Sequence, residues 1–145
     1  MIPKFLLKRP VPTTLPRGMM RCVEQIDACK TKEQALQTAY DIVTSKYYGD
    51  TVLAYTRFYQ VFALDLQSLW SRRGFLHAVH MNYILRALLV TSRHFDENDV
   101  ELRMSRTFGN PHQYLLVHVG KKKYMNVDPW AKALGVPFGD YLHGW

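Results

Sequence analysis

The longest apolar stretch of the chain runs from Gly74 to Ser92, GFLHAVHMNYILRALLVTS. From Leu76 or His77 onward its apolar residues recur at the three- and four-residue spacing of a helix face. One stripe consists of Ala78, Met81, Leu85 and Leu88, and it is widened by Ile84, Ala87 and Leu89. A helix that is apolar over so wide an arc must be covered by other elements. The pattern therefore predicts a buried central helix that ends near Ser92.

Two helices are predicted before this central helix. The segment from Gly18 to Cys29 carries an apolar stripe at helical spacing and predicts a short helix. Thr31 followed by Gln34 fits a capping box, in which each residue satisfies a backbone amide of the first helical turn. A second helix is therefore predicted from Lys32 to Tyr47, and Gly49 is expected to end it.

The remaining segments of the first half are less regular. Asp50 to Ala63 mixes aromatic, β-branched and apolar residues without a clear period, so irregular or short helical structure is expected. Asp65 can cap one helical turn, LQSLW. Residues 1–17 contain four prolines, which exclude a continuous helix and predict an extended arm lying over the domain.

Alternating patterns in the second half predict an antiparallel sheet. Val100 to Met104 alternates as a half-buried strand, and a second strand runs from His112 to Val119. The residues GKKK reverse the chain, Tyr124 to Asp128 returns as a third strand, and Pro129 ends the pairing. The tail ALGVPFGDYLHGW, with glycines and a proline between aromatics, predicts a packed coil.

The positions of His112 and Asp128 constrain the hairpin between them. Facing residues of a hairpin have a constant index sum, and side chains that face each other lie on the same side of the sheet. Because 112 and 128 are both even, that sum must be even for the two side chains to meet. A regular two-residue turn would place them on opposite faces, so an odd number of unpaired residues or a bulge is predicted.

Length and composition indicate one domain, and the predicted helices and antiparallel strands give it an α+β fold. The chain has 145 residues, 48% of them hydrophobic, which is enough for a real core. No apolar run approaches the ~20 residues of a membrane span, and the apolar part of MIPKFLLKRP is too short for a signal peptide. The two cysteines, Cys22 and Cys29, fit neither a disulfide nor a zinc motif, so reduced core thiols are expected. These features predict a cytoplasmic protein without membrane contact.

The net charge of +7 raises the question of an acidic partner. The basic residues are scattered, and no aromatic-interleaved basic strand or recognition helix is present in the sequence. Nucleic-acid binding is therefore disfavoured, and the charge is interpreted as favouring solubility.

The order of helix, His-bearing strand and Asp-ending strand resembles the transglutaminase-like, papain-type superfamily. In that family a Cys opens a buried helix and a small-Leu-Leu segment follows nine residues on, and here ALL at positions 87–89 places Ala78 at the cysteine position. The family's His begins a strand about sixteen residues before an Asp-Pro, which matches His112 and Asp128. The resemblance covers the second half of the chain. It implies a papain/transglutaminase-like fold, with N-terminal helices and a buried central helix packed on an antiparallel sheet.

The resemblance implies thiol acyl transfer on amide bonds. The thiolate at a helix N-terminus attacks, His112 is the candidate base, and Asp128 orients the imidazole. Gln67 or Trp70 could line an oxyanion site, and His77 is expected to line the cleft. The substrate would be a peptide or protein, no cofactor is needed, and the acyl acceptor is either water, in hydrolysis, or an amine, in transamidation.

Ala78 carries a methyl group, which cannot attack a carbonyl, so no acyl-enzyme forms in this sequence. Two origins stay open: an engineered replacement of cysteine, favoured because His112 and Asp128 persist at the family spacing, or natural loss of catalysis. In the latter case the protein is a non-catalytic peptide- or partner-binding module. A metal site of His77, His80, His112 and Asp128 is a further alternative, disfavoured because no Glu stands where an H-E-x-x-H enzyme needs its base.

Overall fold

The structure is a computed structural model of the chain and describes residues 8–62, 65–107 and 109–144. The α-helices in these ranges are α1 (Arg17–Asp27), α2 (Lys32–Lys46), α3 (Thr51–Thr56), α4 (Leu66–Ser71) and α5 (Ala78–Thr91). The strands are β1 (Tyr47–Tyr48), β2 (Gly74–Phe75), β3 (Val100–Thr107), β4 (Asn110–Gly120) and β5 (Lys123–Val127). Short 3₁₀-helices span Phe58–Phe62, Glu97–Asp99 and Trp130–Leu134.

The architecture is α+β, as the sequence predicts. Strands β3, β4 and β5 form an antiparallel sheet in that order, and β1 pairs with β2 in parallel. Helix α5 packs against α1, α2 and β4 and lies at the centre of the core. Its residues from Met81 to Leu89 are buried with the exception of Tyr83, which confirms the predicted buried central helix.

Two helix caps lie at the residues that the sequence predicts. Thr31 accepts a hydrogen bond from the Gln34 amide at 3.1 Å, and the Gln34 side chain accepts one from the Lys30 amide at 3.2 Å. The Gln34 side chain thus reaches one residue further back than in a standard capping box, but it still satisfies an amide before the helix. Asp65 caps α4 by accepting from the amides of Gln67 and Ser68.

The pairing of the segment before α5 explains why the helix begins one or two residues after the start of the apolar pattern. Residues Gly74 and Phe75 pair with β1, and the Leu76 amide donates to the Tyr48 carbonyl at 3.3 Å. This pairing keeps the backbone extended through His77, which is the N-cap residue. The first helical residue is therefore Ala78.

The hairpin of β4 and β5 contains the predicted irregularity. From Leu115 opposite Val127 to His118 opposite Tyr124 the register is regular, but Gly120 pairs with Lys123. The register shift between His118 and Gly120 is a β-bulge, which precedes a two-residue turn. The index sum in the paired body of the hairpin is consequently even, and the even-numbered residues share a face.

The two ends of the chain lie as coil against this body. Residues 8–16 contain neither helix nor strand, and the Tyr83 hydroxyl donates to the Pro10 carbonyl at 3.0 Å. The first seven residues of the predicted arm, together with Ala63 and the last residue of the tail, lie outside the described residues. After the 3₁₀-helix Trp130–Leu134 the tail is coil, held by isolated bridges at Gly139 and Gly144. Among the helices of the described ranges, none combines the length and apolarity that crossing a lipid bilayer requires.

Candidate active site

Ala78 stands at the N-terminus of the central helix. The N-cap residue His77 makes no side-chain capping hydrogen bond. The amides of Ala78 and Val79 belong to the first turn, which has no intrahelical acceptors for them. Because backbone dipoles add along α5, this end of the helix favours negative charge. A thiol placed here would be favoured in its thiolate form, and an oxyanion placed here would be stabilised.

His112 and Asp128 are hydrogen-bonded to each other. The distance between His112 Nε2 and Asp128 Oδ2 is 2.6 Å, and the two side chains are 7% and 0% exposed. The carboxylate also accepts the Leu142 amide at 2.9 Å and the Ala131 amide at 3.3 Å, so both of its oxygens are held. With Nε2 donating to the carboxylate, Nδ1 is the ring nitrogen able to accept a proton.

A polar contact fixes the start of α5 against the start of β4. Asn82 is one helical turn beyond Ala78, and residues four apart lie on the same helix face. The Asn82 amide donates to the Gln113 carbonyl at 2.9 Å and to the Gln113 side-chain oxygen at 3.2 Å. Asn82 is fully buried, and Gln113 is 4% exposed. This contact brings the helix face of Ala78 to the strand residue that follows His112.

Trp130, the first residue of the last 3₁₀-helix, packs against the His112 imidazole. The two ring centroids are 5.4 Å apart. A Cβ added at Gly49 would lie 2.2 Å from the Trp130 carbonyl oxygen and 2.4 Å from its indole. Glycine at position 49 therefore permits a close approach that any other residue would block. The contacts of Trp130 with Gly49 and with His112 thus connect the residue after β1 with the site.

Ala78 and His112 line the same cavity, which has a volume of about 580 Å³. Its wall includes Trp130 from the last 3₁₀-helix, Leu142 from the C-terminal coil and Gln113 from β4. Its other wall comes from α3 and the following 3₁₀-helix, through Tyr55, Phe58 and Val61. The helix N-terminus and the His112 imidazole thus line one space that is large enough for several side chains, and the buried Asp128 carboxylate is the hydrogen-bond partner of that imidazole.

Two histidines attach the segment 51–62 to the start of α5. The ring Nε2 of His77 lies 2.8 Å from the Arg57 carbonyl, and that of His80 lies 3.0 Å from the Val61 carbonyl. Since carbonyls only accept, both Nε2 atoms donate. Burial lowers the pKa of His77, and it lowers the pKa of His80 to about 4, against the opposing effect of each carbonyl hydrogen bond.

Two of the residues expected to line the cleft lie elsewhere. Gln67 is exposed on α4, and Trp70 packs against the Tyr47 ring with Lys46 Nζ 3.5 Å above its centroid. Neither is among the described residues that line the cavity. The structure therefore does not bring Gln67 or Trp70 to the cavity that Ala78 and His112 line, because α4 places these side chains in solvent or against Lys46 and Tyr47. His77, in contrast, does line the cavity.

The histidines also have other partners than a metal ion. His77 and His80 each use Nε2 for a backbone carbonyl, and His112 uses it for Asp128. Within the part of the chain that the structure describes, no three side chains of His, Cys, Asp or Glu are grouped as a metal site would require.

The sequence interpretation missed the walls of the cavity. The segment 51–62, the Asn82–Gln113 contact and Trp130 were not identified as parts of the site. Asn82 gave a usable signal, because an amide within an otherwise apolar helix face is expected to have a buried polar partner. The sequence contains no such signal for the wall formed by Tyr55 and Phe58, because the position of this wall depends on the contacts of His77 and His80 with backbone carbonyls.

The chain was compared with protein-family models, with curated proteins and with solved structures, and none of the three comparisons found a match.

Proposed function

We propose that the cavity is the substrate site of a transglutaminase-like thiol acyltransferase or hydrolase framework acting on amide bonds, with Ala78 at the nucleophile position. The observation that carries the proposal is that the α5 N-terminus and His112 line one cavity, with His112 hydrogen-bonded to the buried Asp128. This is the arrangement that the resemblance to the papain-type superfamily implies. Nothing in the proposal requires a cofactor.

The proposed chemistry assigns one role to each part of the site. With cysteine at position 78, the helix dipole and the His112 imidazole would hold the sulfur as thiolate, and it would attack a substrate amide carbonyl. His112 Nδ1 would take up the thiol proton and return it to the leaving amine. Asp128 would keep the imidazole in the tautomer that exposes Nδ1. The first amides of α5 would donate to the oxyanion, because they lie at the cavity whereas Gln67 and Trp70 do not line it.

With Ala78 the same site binds its substrate without forming an acyl-enzyme. We retain the proposal that Ala78 replaces a cysteine by engineering, because the base and its orienting carboxylate are complete without a nucleophile. The unpaired thiols of Cys22 and Cys29 support the proposal of a reducing, cytoplasmic location. The acceptor of the acyl group, water or an amine, stays open.

A second candidate is a natural peptide- or partner-binding module of the same fold. The observation that favours it is Ala78 itself, together with the apolar wall of Tyr55, Phe58 and Val61. In that case the site would have no capacity to activate a sulfur. The two candidates therefore differ in the behaviour of a thiol introduced at position 78.

The Ala78→Cys variant tests the proposal by acylation. Incubated with p-nitrophenyl acetate, it is expected to gain one acetyl group at position 78, detected by peptide mass spectrometry, with a burst of p-nitrophenol. The double variants with His112→Ala and Asp128→Asn should lose about 10²-fold or more of the acylation rate. An introduced thiol that acylates at the same rate in all three backgrounds would contradict the acyltransferase framework and favour the binding module.

A further inference from the structure

The cavity beside Ala78 has walls without formal charge. None of the described lining residues is Asp, Glu, Lys or Arg, and the titratable groups among them are His77, His112 and Tyr55. Burial keeps His77 neutral at pH 7 by lowering its pKa. An ionised side chain entering this space would lose its hydration without gaining an ion pair. The walls therefore fit a neutral, largely apolar group.

An exposed apolar surface adjoins the cavity. This apolar rim consists of Val52, Tyr55, Phe58, Tyr59 and Phe62, which are 67%, 68%, 49%, 70% and 61% exposed. All five residues lie on α3 and the 3₁₀-helix after it, and two of them also line the cavity. Contiguous exposed aromatic residues are typical of surfaces that bind a partner. The cavity and the rim thus form one apolar surface.

Two arginines neighbour the lining residues of this surface. Residues 51–62 contain Arg57 and no acidic residue. On the opposite side of the cavity, Arg106 pairs with the lining residue Pro111 and precedes the lining residue Thr107. Both arginines are exposed. The nearby Asp50 side chain accepts the Leu53 amide as the cap of α3, which directs it toward the helix. The field around the opening therefore favours acidic groups on a ligand.

We propose that this surface binds a peptide segment in which a bulky neutral apolar side chain is flanked by acidic residues. The apolar side chain occupies the cavity beside Ala78, its neighbours contact the rim, and the acidic flanks face Arg57 and Arg106. This inference rests on the proposed function, because it names the substrate class of the same site. It requires no reaction, so it applies to the chain with Ala78 as it stands.

Three fluorescein-labelled peptides of equal length test the proposal by fluorescence anisotropy with the native chain. The first has a central Phe between glutamates, the second replaces that Phe with Ser, and the third replaces the glutamates with lysines. The first is expected to bind at least tenfold more tightly than the other two. Its affinity should fall as salt rises, because the charges lie in solvent.

Matched variants locate the contacts. Arg57→Glu and Arg106→Glu are expected to weaken the first peptide several-fold each, whereas Arg21→Glu on α1 should leave its affinity unchanged. Phe58→Ser should weaken it more than tenfold, whereas Leu134→Ser, another exposed apolar position, should not. If a variant and its control lose the same affinity for the first peptide, net charge or general hydrophobicity drives binding. That result would overturn the proposal.

Two results would also reject this assignment. Equal binding of the glutamate and lysine peptides, or absence of binding by all three, would contradict an acidic-flanked ligand. Dimerisation of the native chain that Phe58→Ser abolishes would assign the rim to a second copy instead. Failure of the proposed acyl transfer is seen separately, in the acylation of the Ala78→Cys variant, and leaves these binding measurements unaffected.

Discussion

Asp128 lies one residue beyond the last regular pair of the β4–β5 hairpin and reaches His112 on the same face of the sheet, with 2.6 Å between Oδ2 and Nε2. The bulge between His118 and Gly120 makes this contact possible. Without it, the two-residue turn would shift the pairing by one position and turn the carboxylate to the other face. The geometry of the site thus depends on an irregularity at the opposite end of the hairpin.

Gly49→Ala is expected to disturb the site through Trp130. The added Cβ would overlap the Trp130 carbonyl oxygen and indole, and neither is the flexible end of a side chain. Overpacking of this kind costs about 1–3 kcal/mol of unfolding free energy. Gly120→Ala is the control, because its Cβ would meet Lys123 at an ordinary 3.8 Å. Urea denaturation should show a lower midpoint for Gly49→Ala alone, and equal midpoints would refute the close approach.

Asn82→Ala is expected to loosen α5 from β4. It removes the two hydrogen bonds that Asn82 donates to the buried Gln113, at a cost of about 1–2 kcal/mol. Asn98→Ala, at an exposed position, should cost little. In the Ala78→Cys background, Asn82→Ala should also slow acylation, because the helix start is no longer held beside His112. Unchanged stability and acylation would argue against this contact as a positioning element.

The stability of the protein is expected to fall between pH 7 and pH 4 because of His80. An unfolded histidine takes up its proton near pH 6.5, whereas burial lowers the pKa of His80 in the folded state to about 4. The unfolded state therefore binds more protons in this range, so stability declines as the pH falls and levels off below the folded pKa. The total effect is about 3 kcal/mol.

The variant His80→Gln isolates this contribution. Glutamine can still donate to the Val61 carbonyl but does not titrate. The unfolding free energy of each protein is measured by urea denaturation at pH 7.5 and at pH 4.5. Between these two pH values it should fall by about 2 kcal/mol more in the native chain than in the variant. The same pH dependence in both would mean that His80 is not the group that titrates.

Local chemistry predicted much of the fold. Thr31 and Asp65 cap helices where their spacing indicates, and the index parity of His112 and Asp128 requires the irregularity that the hairpin contains. These features depend on residues close in sequence or on one pairing rule. The start of α5 was predicted one or two residues early, because the apolar pattern continues through Leu76 while the backbone there pairs with β1.

The walls of the site could not be predicted in the same way. Trp70 was expected near the cleft only because it precedes α5, and no spacing specified its direction. Trp130 and Tyr55 reach the cavity through tertiary contacts, with Gly49 and with the hairpin residue Asn110 respectively. Contacts of this kind join segments that are far apart in the chain, so a local pattern carries no signal for them.

The apparent pKa of a thiol introduced by Ala78→Cys tests the central claim most directly. Iodoacetamide labelling across pH 5–10, followed at that peptide by mass spectrometry, gives the pKa, and Ala133→Cys at an exposed position supplies the control. We expect the Ala78→Cys thiol to have a pKa at least one unit below the ordinary value of about 8.5, and His112→Ala to raise that pKa back toward 8.5. A pKa at or above that of the control, unaffected by His112→Ala, would contradict it.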